Sequence, residues 1–268
     1  MRYLIVNADD FGISPEVTKG IIESFKNGIV TDTSILICSP YAEQALTSAI
    51  EVGLPVGVHI DFVTEFHLHN YHSDPNLIGP NGQLMRELNE REFHNHIDHS
   101  FTCDELMSLR EEVRSQVDLF IQLTGQKPSH LDYHFGLHHL NEIMAIYITI
   151  AEEYKIPVRW GRQYAGKNPY AMAPKIFCDA FHGNPQTTVD DFINLLEKPW
   201  DGIMEICCHP GYFTPGGLAD SNNRDREYEL AILVNPRLKL ELQARKIQLV
   251  NYHFITELYK KNLSMGEK

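Results

Sequence analysis

Hydrophobic positions fall into short dense runs and into longer stretches with helical spacing, and the two alternate along most of the chain. Residues 3–8 read as a buried strand. Ser14-Pro15 then supplies a capping hydroxyl and a proline at the first helical position. Val17, Ile21, Ile22 and Phe25 recur on one face until Asn27-Gly28 stops the helix. Further strand-like runs lie at 33–37, 56–60, 130–134, 157–160, 203–208 and 248–252. Between them come helices: Ala42, Ala45, Leu46 and Ala49 closed by Gly53, and Leu106, Leu109, Val113, Val117 and Phe120 closed by Gly125. Others are predicted at 143–154, 189–196, 226–233 and 238–246, with one more at the end. Two stretches break the rhythm. Residues 61–103 are polar and carry His67, His69, His72, His94, His96 and His99, which predicts a lid or substrate loop. Residues 161–187, rich in Gly, Pro and Asn, read as irregular.

Repeated strand–helix alternation implies a mostly parallel sheet. About seven strands, with chemistry-bearing residues at several strand ends, favour an α/β fold built as a distorted (β/α) barrel over an open sheet. No repeat or low-complexity linker divides residues 1–268, so one domain is expected.

Polar residues interrupt the apolar runs where such folds keep their chemistry, at the carboxyl ends of strands. Asp9 and Asp10 end the first run, and two acids there can divide labour, one holding a metal and one moving protons. His59 ends a second run, with Asp61 two residues on as a candidate to orient its ring or to cap the next segment. His130, Asp132 and His134 alternate with apolar neighbours, so as a strand they share one face. Asp132 is then a candidate hydrogen-bond acceptor for a ligating imidazole. His138 follows, either against substrate or at the surface. His209, before Pro210-Gly211, has the side chain best suited to a general acid near neutral pH. Cys207 and Cys208 beside it read as small buried residues, and Arg159 either pairs with a catalytic carboxylate or sits on the rim. Together these residues point to a mononuclear metal site with an acid/base pair.

Composition narrows the partners. A net charge of −13 argues against nucleic acid or an anionic membrane surface. Five cysteines, without zinc-knuckle spacing, are expected as reduced thiols in a cytoplasmic protein. A strand beginning at Tyr3 leaves no room for a signal peptide, and no apolar run approaches a membrane span.

The chain resembles the YdjC-like carbohydrate deacetylases, which remove acetyl groups from chitooligosaccharides and related sugars. The resemblance is carried by Asn7-Ala8-Asp9-Asp10-Phe11-Gly12, Gly28-Ile29-Val30-Thr31, Gly57-Val58-His59, Lys127-Pro128-Ser129-His130-Leu131-Asp132-Tyr133-His134 and Cys208-His209-Pro210-Gly211. It implies Asp10, His59 and His134 as ligands of one divalent metal, Asp9 as general base, His209 as general acid, and a homodimer. Acetylated mono- or oligosaccharides are the implied substrates, cleaved to acetate and an amino sugar. Magnesium follows from the resemblance, whereas two imidazoles in a ligand set favour zinc or a similar ion. The family usually continues after the ligand histidine as His-His-Val-His, where this chain has Phe135-Gly136-Leu137-His138. A sugar-binding protein with impaired catalysis is one alternative to the deacetylase, and another metallohydrolase on the same barrel is a second.

Overall fold

The computed structural model describes residues 1–62, 101–134, 141–159, 172–174, 176–178, 181–197, 199–216 and 223–266. Strands β1 (Arg2–Phe11), β2 (Asp32–Ile35), β3 (Val56–Ile60), β4 (Leu131–Tyr133), β5 (Ile176–Cys178), β6 (Gly202–Cys208) and β7 (Ile247–Leu249) form one sheet. Its order is β4-β3-β2-β1-β6-β5, and every pairing is parallel. β7 pairs with residues 2–4 of β1 and β2 with residues 7–11, while β6 runs along residues 2–8. Beyond β4, among the described residues, the sheet gains a bridge at Val158, within the strand expected over 157–160. The sheet curls into a half-barrel, so that Arg159, beside that bridge, reaches Glu205 on β6 across the interior at 2.8 Å.

The helices are α1 (Pro15–Asn27), α2 (Ala42–Val52), α3 (Cys103–Thr124), α4 (Asn141–Tyr154), α5 (Val189–Glu197), α6 (Asp225–Leu233), α7 (Pro236–Ala244) and α8 (Tyr252–Gly266). Local chemistry sets several ends. The Ser14 hydroxyl accepts the Val17 N–H at the start of α1. Thr102 and Glu105 form a capping box that starts α3 inside the stretch expected to be loop. Gly53 and Gly125 end α2 and α3 at φ 73° and 68°. The helices cover the sheet's outer face and bury Val17, Ile21, Leu46, Val113, Val117, Tyr147 and Phe192 against Leu4, Val6, Val58 and Ile206.

Three differences from the sequence reading have local causes. β5 lies inside the stretch read as irregular, where three apolar residues are too few to show a period. β7 is shorter and earlier than 248–252, because the Tyr252 N–H turns to the Asp32 carboxylate and opens α8. α7 stops at Ala244, ahead of Lys246, which sits at φ 54°. The polar run from Val63 to Ser100 lies outside the described residues, as does His138.

Candidate active site

β1 runs through both acids rather than ending at Ala8. Neighbours in a regular strand face opposite ways, which would send Asp9 and Asp10 to different sides of the sheet. Asp10 avoids this by adopting φ 67°, a left-handed conformation uncommon outside glycine, and the register with β2 shifts between Ala8 and Phe11. Both carboxylates therefore reach the mouth of the half-barrel, each with its own partners.

Asp10 is buried, and its Oδ1 stands 3.3 Å from Nε2 of His59 and 2.9 Å from Nδ1 of His134. One ligand atom from each of the three residues falls within 4.8 Å of the others. Oδ2 of Asp10 accepts a hydrogen bond from Nη2 of Arg226 on α6 at 2.5 Å. Burial alone would raise the Asp10 pKa, but Arg226 and His134 outweigh it and hold the carboxyl well below its ordinary range. The other face of the His59 ring is fixed by Asp132, whose Oδ1 lies 2.7 Å from Nδ1, and by the Ser34 hydroxyl at 3.2 Å. Asp132, not Asp61, orients this ring, and the Asp61 backbone is instead held by Gln116 of α3.

This donor set suits a cation. Among the described residues, Asp10 Oδ1 is buried and has no hydrogen-bond partner, facing two imidazole nitrogens. Burial opposes charge on His59, yet Asp132 and Asp10 overcome it and push its pKa up to about 10. The surrounding carboxylates thus favour positive charge at this position, which a bound cation would also supply. A carboxylate with two imidazoles, one oriented by a second carboxylate, is a common divalent-metal arrangement.

Asp9 faces a different environment. Arg159 grips it through Nη1 to Oδ2 at 2.8 Å and Nη2 to Oδ1 at 2.7 Å, and Asn7 donates to Oδ1 at 2.8 Å. Arg159 also donates to Glu205 and lies 3.0 Å from Asp132. Glu205 accepts in turn from the Tyr252 hydroxyl at 2.5 Å. His130 is deeper in the interior, its ring stacked on Tyr252. A Cβ at position 57 would come 2.4 Å from that ring, so Gly57 makes its room. His209 follows β6, with Nε2 4.0 Å from Oδ2 of Asp9. Cys207 and Cys208 are buried, and the Cys208 thiol donates to the Asn7 carbonyl.

The structure thus brings together Asp9, Asp10, His59, Asp132, His134, Arg159 and His209. Sequence reasoning missed Arg226, Glu229, Glu205 and Ser34. One signal was available: Arg226 and Glu229 share a helical stripe with Leu230 and Leu233, and charged residues on a core-facing stripe need partners.

The fold and site define a half-barrel protein with a candidate metal centre and an arginine-clamped carboxylate at the strand ends. Comparison with known proteins narrows this. The family described as YdjC-like protein matches residues 3–244, and the chain belongs to that family. A carbohydrate deacetylase of Geobacillus stearothermophilus is 32% identical over 97% of this chain and 99% of its own. A chitooligosaccharide deacetylase of Yersinia pestis is 30% identical over 94% and 98%. The crystal structure of a putative cellobiose-phosphate cleavage protein from Enterococcus faecalis superposes with a TM-score of 0.81 at 27% identity, covering 95% of this chain and 98% of that one.

Proposed function

We propose that this chain is a metal-dependent carbohydrate deacetylase that hydrolyses N-acetyl groups, releasing acetate and an amino sugar. One observation carries the reading: two adjacent carboxylates have different free sides, Asp10 turning one oxygen to two imidazoles with Arg226 on the other, and Asp9 held through both oxygens by Arg159. Membership of the YdjC-like family, and the two deacetylase relatives matched over nearly their whole length, support it.

Asp10, His59 and His134 would hold a divalent cation, which supplies a Lewis acid for the acetyl carbonyl and lowers the pKa of water. Asp9 is the general base. Arg159 and Asn7 fix the carboxylate's plane, so that it takes the proton of the attacking water in one orientation. His209 is the general acid. An amide nitrogen leaves poorly as an anion, and His209 Nε2 delivers its proton from the same side of the site as Asp9 Oδ2. Asp132 and Ser34 keep the His59 ring turned with Nε2 towards Asp10. The family resemblance also carries a homodimer, and the reduced-thiol reading of the cysteines a cytoplasmic location, which a sizing column and cell fractionation test.

The test is acetate release from N-acetylated mono- and oligosaccharides by chelated protein, then by the same protein restored with zinc, magnesium, cobalt or nickel. Metal-dependent acetate release is expected. Metal bound with no acetate from any sugar would replace this reading with that of a sugar-binding protein.

A further inference from the structure

α6 serves both halves of the mouth. Arg226 grips Asp10, and its carbonyl accepts the Gly211 N–H at 3.2 Å. One turn further on, the buried Glu229 points at backbone rather than at a side chain. Its Oε2 accepts the His209 N–H at 2.5 Å and its Oε1 accepts the Gly183 N–H at 2.8 Å. One carboxylate therefore joins the end of β6 to residues 181–184, a segment far away in sequence. The join is shaped for glycine, since a Cβ at position 183 would come 2.5 Å from both Glu229 Cγ and the Asp225 carbonyl oxygen. With the segment docked there, the His182 ring lies almost parallel to that of His209, at 5.7 Å between centroids and 16° between planes.

Glu229, His182 and His209 have ligand atoms within 4.8 Å of one another, a spacing that would also suit a cation. Both Glu229 oxygens are already engaged by peptide N–H groups, so the cluster reads as a clamp rather than a second metal site. The His209 ring needs such a clamp. It makes no hydrogen bond among the described residues, and the Asp9 carboxylate stands off at 4.0 Å. Its position is inherited from its backbone. Hydrogen bonds to an ionised acceptor are among the stronger fixings available to a peptide group.

We propose that Glu229 is a positioning residue that sets the placement of His209 through its peptide group and holds the His182 ring against it. This rests on the reading of His209 as general acid. A misplacement of about 1 Å can cost about a hundredfold in rate, so a backbone clamp can govern turnover without touching substrate.

The experiment is a double-mutant cycle on acetate release. In Glu229→Gln the amide keeps one acceptor and sets an NH₂ group against the second peptide N–H. The expected result is a fall in kcat of about 10–100-fold, with KM within about twofold and bound metal unchanged. In a His209→Ala background the same substitution should lower kcat by less than about twofold, because there is no acid left to misplace. Equal losses in both backgrounds, or no loss in the parent, would overturn the proposal. Gly183→Ala, which presses a methyl group onto the Glu229 stem, is read in the same two backgrounds, so the cycle survives if Glu229→Gln does not fold. A fully active His209→Ala enzyme would overturn the acid assignment and this inference together. A His209→Ala loss with an undiminished second loss from Glu229→Gln would overturn the inference alone.

Discussion

The two sides of the mouth are built in opposite ways. On the metal side, Asp10, His59 and Asp132 are buried and meet side chain to side chain, held by Arg226, Ser34 and Arg159. On the acid side, the His209 side chain is 24% exposed, lies against the His182 ring, and takes its place from a peptide N–H donated to Glu229. The difference matches the work proposed for each. Donors to a cation must keep fixed separations, whereas a proton donor must meet substrate and exchange with solvent. The Asp9–Arg159 pair sits between, buried but aimed at the acid.

Substitutions on the two sides should therefore separate metal binding from turnover. The largest loss is expected from His134→Ala, which removes a metal donor: acetate release should fall below detection and bound metal, read by elemental analysis, should fall with it. Arg159→Met comes next, because it leaves Asp9, Asp132 and Glu205 buried without their shared cation. Breaking such a network costs about 3–5 kcal/mol, measured by urea unfolding, and turnover should fall with stability. A wild-type midpoint would show that the clamp has no structural role. His209→Ala should lower kcat by about 10²–10⁴-fold while metal content and melting temperature stay near wild type, and a lost metal would erase the contrast between the two sides.

Smaller effects come from the supports. A Cβ on Gly20 would lie 2.6 Å from Gly211 Cα, so Gly20→Ala should push the turn after His209 off α1. The cost is about 1–3 kcal/mol in stability, with a loss of turnover smaller than that of His209→Ala. Asp32, opposite Asn7 in the register of β1 and β2, should show itself in the pH dependence of stability. Burial pushes its pKa up to about 7 from 3.8, against the pull of His130 and the Tyr252 N–H. The folded state then binds this proton more tightly than the unfolded chain, so the stabilisation is full below about pH 4 and lost as pH rises through about 7. Asp32→Asn should flatten that slope in urea titrations between these limits, and an unchanged slope would contradict the burial argument.

Much of the site was legible because its residues interrupt apolar strands. Asp9, Asp10, His59, Asp132 and His134 stand at strand ends where a polar group needs a reason. The helix boundaries at Ser14, Gly53 and Gly125 were legible from capping chemistry. What stayed hidden depends on three-dimensional closure. The positive φ of Asp10, which turns adjacent acids towards one mouth, has no local signature. The same holds for the reach of Arg159 across the half-barrel and for α6 presenting Arg226 and Glu229 inward. Asp61 was the nearer partner for His59 in sequence, but β3 and β4 pair so that His59 lies opposite Asp132.

The central claim is that Asp9 and Asp10, neighbours in the chain, do different jobs. Bound metal and acetate release measured in parallel on Asp9→Asn test it most directly. The account predicts wild-type metal content with turnover lost by about 10²–10⁴-fold. Full turnover, or metal lost along with activity, would contradict it.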